Sequence, residues 1–477
     1  RNNMDTYGLY LNGEWVDSEQ KLTVVDKGNG EAFAEVATVD RAGVRKAIQD
    51  AESVRSSWAN TTGMARGDLL LKLAAEVSKR ADEIAHDITL ENGKPLPQSK
   101  GEVGMAIDHI RWFAEEARRS YGRSVPHQTP GKRHLILKHP VGVVGAIAPW
   151  NFPLVLSLRK VGPALAAGCP VILKPASATP VCAVKLAQCI EAAGFPKGVF
   201  QLVVGKASDI GNEMMENPLC RKISFTGSTE VGKKLIEGAA KTCTRLSLEL
   251  GGNAPLLVFA DADLNKAVDG AIITKFRNTG QSCIASNRIY VERPIHDAFV
   301  EKFVARTKSL KVGYGLEEGV EIGPLIDEAG RDAALQFVED AKEKGARLLC
   351  GGTAVEGQGV FVTPAVLVDI PANARCLKEE IFAPLAPVVP FDTEEEAVAL
   401  ANDTEYGLAA YAFTNDMNRA LRLGEQLEAG TVGINESVPA TSNCPFGGFK
   451  QSGWGRELGS EGIEAYLETK HVSFGGV

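Results

Sequence analysis

The nine cysteines, at positions 169, 182, 189, 220, 243, 283, 350, 376 and 444, include no CxxC pair and no zinc spacing, and their number is odd. A disulfide framework and a cysteine-built metal site are therefore not expected, and reduced thiols in a cytoplasmic compartment fit best. No apolar run reaches the roughly 20 residues of a membrane span. The start of the chain lacks the apolar core of a secretion signal, and Arg1-Asn2-Asn3 reads as a cloning remnant ahead of Met4. Basic tracts are absent as well. The 52 Lys and Arg against 60 Asp and Glu give a formal charge of −8, so neither nucleic acid nor a membrane surface is an expected partner. A net negative molecule does not steer small anions toward itself, so any preference for them needs local arginines. Repeats, low-complexity segments and flexible linkers are missing. So is the dinucleotide fingerprint GxGxxG: its nearest counterpart, Gly205 to Gly211, carries Ala207 where the second glycine should stand. Alone, that argues against a nicotinamide cofactor.

What is present is a strand–helix alternation. At 477 residues the chain is too long for one core, so two or three domains are expected. The run Val141–Ala148 suits a strand buried on both faces and ends in Pro149-Trp150-Asn151-Phe152-Pro153, where two prolines fix an irregular loop. Strand-like 171–173 and 199–203 alternate with helical runs at 159–167 and 179–193, the rhythm of a doubly wound, mostly parallel sheet. After Gly251 the rhythm restarts, from Ala254 to about Lys450. Apolar spacing predicts a helix over 41–58, one long helix over 66–91 ending at Asn92-Gly93, and a third over about 99–121. The third carries Arg111, Trp112 and Phe113, either as a tunnel wall or as a core stripe beside a solvated arginine. Tyr10 to Trp15 reads as a hairpin turning at Asn12-Gly13.

Two residues suggest chemistry. Cys283 follows Gly280-Gln281-Ser282 beyond an apolar helical run, and Glu249 lies 34 residues upstream on a glycine-flanked strand end. A thiol that forms an adduct and a carboxylate that activates water suit aldehyde oxidation followed by thioester hydrolysis. Singly, such a cysteine is more often a buried small hydrophobe and such a glutamate a surface charge. Phe225-Thr226-Gly227-Ser228 follows a strand and opens a helix, whose N-terminus suits a pyrophosphate; Ser228 could cap that helix.

These segments join Lys174-Pro175-Ala176-Ser177, Glu379-Glu380-Ile381-Phe382 and the run Pro445 to Gly453, in one order along the chain. With them the sequence resembles the aldehyde dehydrogenase superfamily, and within it the succinate-semialdehyde dehydrogenases. The resemblance implies an α/β fold with a Rossmann-type cofactor domain (1–118 and 142–251), an α/β catalytic domain (252–450), and an oligomerisation segment (119–141 and 451–477) whose small sheet pairs the 134–138 strand with the 471–474 strand. It implies Cys283 as nucleophile, Glu249 as base, the Asn151 amide and the Cys283 N–H as oxyanion donors, and Lys160 and Glu457 as a proton relay, although both could be structural. Hydride passes to a nicotinamide, and the presence of Glu249 favours hydrolysis over transfer to coenzyme A.

For the cofactor, the resemblance implies contacts from Pro149, Trp150, Lys174, Ser177, Gly227, Ser228, Leu250, Gly251, Glu380 and Phe382. Ser177, where many NAD-preferring relatives hold glutamate, and Lys174 imply that NADP is accepted beside NAD; Ser177 could also cap the helix near Thr179. For the substrate it implies Arg159 and Arg277 clamping a distal carboxylate, with Phe152 and Phe446 beside them. Thr441, next to Ser442, stands where such enzymes often have a serine donor. The expected reaction is oxidation of an aldehyde with an anionic tail, foremost succinate semialdehyde to succinate, by a homodimer or homotetramer. Sulfolactaldehyde, glutarate semialdehyde and 2-oxoglutarate semialdehyde would use the same arginines. An uncharged aldehyde would not need them, and a non-catalytic binding protein of this fold would not need Cys283 and Glu249.

Overall fold

A computed structural model describes residues 4–477; the reading of Arg1-Asn2-Asn3 lies outside the described residues. Five parallel strands run side by side in the order Phe200–Leu202, Val171–Lys174, Val143–Ile147, Cys220–Thr226 and Arg245–Glu249. Gly453–Trp454 closes this sheet antiparallel to the last of them. Every residue of Val143–Ile147 is buried, as a central parallel strand between two helix layers requires. The chain adds strands outward on one side of Val143–Ile147 and then returns to its other side with Cys220–Thr226. The sheet therefore has a switch point beyond Ile147 and Thr226, the place where open α/β sheets bind ligands. Pro149-Trp150-Asn151 and Gly227-Ser228 are the two turns that leave it.

A second sheet of seven strands spans Ala254–Val258 to Thr431–Ile434. All its pairs are parallel except the edge strand Arg347–Cys350. A third, smaller sheet pairs Lys132–Pro140 with Leu467–Gly475 and Arg123–Val125, all antiparallel. The expected partnership of the 134–138 and 471–474 strands is seen, with His134 opposite Ser473. Within 451–477 only Leu467–Gly475 joins that small sheet. The Tyr10–Trp15 hairpin forms, and Asn12 and Gly13 both take positive φ (49° and 78°) as its tight turn demands.

Several helices differ from the apolar pattern. The run 66–91 is two helices, Gly63–Lys79 and Ala81–Asn92, broken at Arg80 (φ −110°, ψ 16°). The buried face passes from Leu70, Leu73 and Val77 straight on to Ile84 and Ile88, so periodicity does not register the break. The third helix is Leu96–Glu116; beyond it Arg118, Arg119 and Tyr121 are exposed and leave no face to bury. Phe113 is core, Trp112 donates to the Gly459 carbonyl at 3.2 Å, and Arg111 is exposed. The cavity wall on this helix comes instead from Gln98, Gly101, Glu102 and Met105.

Two helices owe their starts to buried carboxylates remote in sequence. Pro153–Ala167 begins six residues before the expected 159 because Glu102 Oε2 accepts the Leu154 and Val155 N–H groups at 2.9 and 3.2 Å. Val181–Ala193 is held by Glu91, which accepts from Val181 at 2.7 Å and Cys182 at 2.9 Å. Ser177 does not cap it, because its side chain is exposed on the preceding turn.

Candidate active site

The Pro153–Ala167 helix is buried at every position, and it carries Arg159 and Lys160. Consecutive helical residues diverge by about 100°, so the two cations serve different places. Lys160 donates to Glu457 Oε1 and to Thr226 Oγ1, both at 2.5 Å. Thr226 in turn donates to Glu249 Oε2 at 3.2 Å. Arg159 lies against the Phe446 ring, its guanidinium carbon 4.8 Å from the centroid. Phe446 and Glu457 are themselves joined by two backbone hydrogen bonds of 2.7 Å, so one antiparallel bridge supports both cations.

Glu249 ends its strand fully inside the protein, and its Oε1 has no hydrogen-bond partner among the described residues. Burial, then the neighbouring Glu457 carboxylate, raises Glu249 well above the ordinary carboxylate range. Burial also opposes ionisation of Glu457, but Lys160, with further help from Arg159, more than offsets it and holds that group below its usual value. The pair thus divides the labour expected of two adjacent buried carboxyls, one proton-bearing and one ionised. Thr226 was part of a motif read for the cofactor; its hydroxyl bridge to Glu249 carried no separate signal in the sequence.

Cys283 sits on a loop whose backbone is strained. Asn278 and Thr279 hold φ values of 51° and 59°, at a cost of order 1 kcal/mol or more each. Polar contacts fix them: Asn278 Nδ2 reaches the Asn151 carbonyl at 2.8 Å, Thr279 Oγ1 the Gly323 carbonyl at 3.0 Å, and Gln281 Oε1 accepts from the Ile326 N–H at 3.0 Å. The Asn151 carbonyl also accepts from Lys94 at 2.8 Å. Its amide Nδ2 makes only a long 3.4 Å bond to the Gln281 carbonyl, and its Oδ1 is unpartnered. The Cys283 N–H donates to no backbone group among the described residues. Gly252 passes so close that a Cβ there would stand 2.2 Å from the Cys283 carbonyl oxygen. Burial, then the Glu249 and Glu380 carboxylates, pushes the Cys283 thiol up to about 12. Arg159 and Arg277 oppose that shift.

The thiol opens into a cavity of about 230 Å³ shared with Arg159, Arg277, Phe152, Phe446 and Ala440. Its walls are mostly apolar, with Gln98, Glu102 and Ser282 adding polar groups beside the two guanidiniums. The Arg277 guanidinium carbon lies 5.2 Å from the Phe152 centroid and its side chain donates no hydrogen bond among the described residues; burial moves it below its ordinary value. Neither arginine has a carboxylate partner among the described residues. Thr441 does not reach this space. Its side chain is exposed and donates to Asn443 Oδ1 at 2.9 Å, while Ala440 takes the wall position. Ser442 is buried, but its oxygen is engaged by His109 Nδ1 at 2.7 Å and Asp108 Oδ2 at 2.6 Å. The expected hydroxyl donor from this loop is therefore turned outward at Thr441 and already bonded at Ser442, because the loop is anchored one residue later than its hydroxyl pattern suggested.

The residues expected around a dinucleotide line the switch point. Ser228 caps the Thr229–Ala239 helix through the Val231 N–H, leaving its first turn facing outward. Lys174 is a buried ammonium whose only partner among the described residues is the Pro175 carbonyl, 3.0 Å away, and burial lowers it to about 8. Ser177 borders a groove of about 760 Å³ with Gly205, Lys206 and Asp209. On the other side, Trp150 and Phe382 pack edge to face at 5.5 Å, and Phe382 is held at φ 53°. Glu380 accepts the Gly252 N–H at 2.7 Å, and burial raises it to about 7. Gly251 accepts no Cβ without crowding Thr229, Tyr406 and Glu380, and Leu250 is buried against Gly232. A buried cation with no carboxylate partner among the described residues, a helix start and an open groove suit a phosphate-bearing dinucleotide. No group of three or more metal-binding side chains occurs among the described residues.

The comparisons agree with this geometry. The profile of the Aldehyde dehydrogenase family matches residues 15–472. The chain is 48% identical over 467 residues to succinate-semialdehyde dehydrogenase [NADP(+)] GabD of Escherichia coli strain K12, covering 98% of this chain and 97% of that protein. It is also 48% identical over 465 residues to glutarate-semialdehyde dehydrogenase of Pseudomonas putida KT2440, covering 97% and 96% respectively. The crystal structure of aldehyde dehydrogenase from Brucella melitensis biovar abortus 2308 superposes with a TM-score of 0.97 at 46% identity, covering 98% of this chain and 97% of that one. The chain belongs to the aldehyde dehydrogenase family.

Proposed function

We propose that this chain oxidises an aldehyde bearing a short anionic tail to the free acid, foremost succinate semialdehyde to succinate. One observation carries the reading: two guanidiniums, Arg159 and Arg277, share the cavity of the Cys283 thiol, and neither is ion-paired to a carboxylate among the described residues. A buried cation without a partner is costly, and a ligand anion relieves it. Arginine's planar fork suits a carboxylate in two-point contact.

In this reading the Cys283 sulfur attacks the aldehyde carbon, and the oxygen that becomes negative is met by Asn151 Nδ2 and the Cys283 N–H. Loss of one such donor costs about 3–4 kcal/mol in comparable sites. A bound nicotinamide dinucleotide supplies the hydride acceptor. Lys174 and Ser228 would hold its phosphates, Glu380 and Phe382 its nicotinamide end, and Ser177, carrying no charge, admits the additional phosphate of NADP as well as NAD. The acyl group is then left on sulfur. Glu249, once it has lost its proton, takes one from water through its unpartnered Oε1, and Thr226, Lys160 and Glu457 carry that proton away from the site.

With Thr441 turned out and Ser442 engaged, recognition of the tail falls to the arginines alone. Sulfolactaldehyde, glutarate semialdehyde or 2-oxoglutarate semialdehyde would be met by the same pair, and Ala440 leaves the wall small. A panel of aldehydes varied in tail length and charge, run with NADP and with NAD, tests the reading. It expects kcat/KM to collapse when the anionic tail is replaced by a methyl group; equal values for charged and neutral aldehydes overturn it. The small sheet displays Leu135, Leu137 and Phe474 to solvent, which supports its use as a homodimer or homotetramer contact. Nine cysteines outside any disulfide support a reducing, cytoplasmic setting.

A further inference from the structure

Behind Arg159 runs a chain of hydrogen bonds whose direction is fixed by chemistry. Arg159 Nε donates to His109 Nε2 at 3.2 Å. A guanidinium has no acceptor, so that ring nitrogen is unprotonated, and the ring proton lies on Nδ1. Nδ1 faces Ser442 Oγ at 2.7 Å, and the Ser442 hydroxyl hands its own proton to Asp108 Oδ2 at 2.6 Å. His109 is fully buried, and burial together with Arg159 keeps it neutral by lowering it well below its ordinary range. Asp108, at the far end, is exposed. The chain therefore runs from a surface carboxylate to a buried cation through two neutral links, each used in one sense only.

Its effect falls on Arg159. With Nε engaged and one face on the Phe446 ring, the guanidinium keeps a single plane. Nη2 reaches only the Met105 sulfur at 3.9 Å, and Nη1 has no acceptor among the described residues. The same Ser442 bond ties the loop to the Leu96–Glu116 helix and seats Ala440 in the cavity wall.

We infer that Asp108, Ser442 and His109 are positioning residues that hold Arg159 with its two Nη groups presented to the anionic tail of the substrate. The inference rests on the anionic-tail reading above and names what makes that reading selective. None of the three touches the reacting carbon. They act by lowering the freedom of the one side chain that must meet the tail.

The test compares succinate semialdehyde with butanal, a neutral aldehyde of equal carbon count, in the full-length enzyme. In His109→Phe the charged-to-neutral ratio of kcat/KM should fall about tenfold, through KM for the charged aldehyde. His109→Gln, whose amide can accept from Arg159 and donate to Ser442, should restore the ratio to within about threefold of the parent. A ratio unmoved in His109→Phe, or equally lowered in both variants, overturns the inference. Should His109→Phe fail to fold, Ser442→Ala carries the same test, and an unmoved ratio there overturns it too. Arg159→Ala run alongside separates the two levels. If it leaves the ratio unchanged, the anionic-tail reading fails; if it lowers the ratio and His109→Phe does not, only the positioning chain fails.

Discussion

Thr226 Oγ1 donates to Glu249 Oε2 at 3.2 Å while accepting from Lys160 Nζ at 2.5 Å. This places a neutral hydroxyl between the Glu249 carboxyl and the Lys160 ammonium. Thr226→Val keeps the shape and removes the link. Steady-state turnover should fall by about tenfold or more, while the first equivalent of reduced cofactor still forms as a burst. Stopped-flow absorbance separates the two phases; loss of the burst itself would assign Thr226 to the earlier step.

The Cys283 thiol, pushed up to about 12 by burial and then by Glu249 and Glu380, is protonated at neutral pH. Because the thiolate is the reactive form, alkylation of Cys283 by iodoacetamide should rise about tenfold per pH unit from 7 to 9 without a plateau. Peptide mass spectrometry follows it against the exposed Cys243 and Cys444. A plateau below pH 8 would contradict the shift.

Lys94 and Glu102 form an ion pair at 2.5 Å with both side chains 1% exposed, and the other oxygen of Glu102 caps the helix that carries Arg159 and Lys160. Glu102→Ala strands a buried ammonium and uncaps the helix. Unfolding by urea should show a loss of roughly 3–5 kcal/mol. A loss below about 1 kcal/mol would mean that the pair is not buried as described.

Ser177 borders the groove beside Lys206 without a charge of its own. Ser177→Glu introduces a carboxylate that repels the additional phosphate of NADP. The NADP-to-NAD ratio of kcat/KM should drop by about tenfold or more, mainly through KM for NADP. An unchanged ratio would place the adenosine end of the cofactor elsewhere.

Cys283, Glu249 and Asn151 were legible as candidates because each lies in a contiguous motif on a strand end or turn, and Arg159 and Arg277 because they stand at positions that match the resembled family. The parallel sheet was legible because strands buried on both faces read as apolar runs, Val143–Ile147 above all. The remainder lies in contacts that no local pattern encodes. His109 and Ser442 are 333 residues apart, and as single residues they read as a helix interior and a loop. Glu102 and Glu91 set helix starts some 50 and 90 residues downstream, positions that local caps such as Ser177 seemed to offer instead. Arg80 breaks a helix whose apolar face runs on unbroken, so periodicity was blind to it. Thr441 was favoured by its hydroxyl, but the backbone between Ala440 and Ser442 decided which side chain faces the cavity.

The account stands on sulfur and carboxylate acting in turn on one carbon. Glu249→Gln, mixed with succinate semialdehyde and NADP and quenched for intact-mass and peptide analysis, tests this most directly. The account predicts one equivalent of reduced cofactor per subunit and a succinyl group that persists on Cys283. Sustained turnover at the parent rate, or reduced cofactor with no acyl group on Cys283, would contradict it.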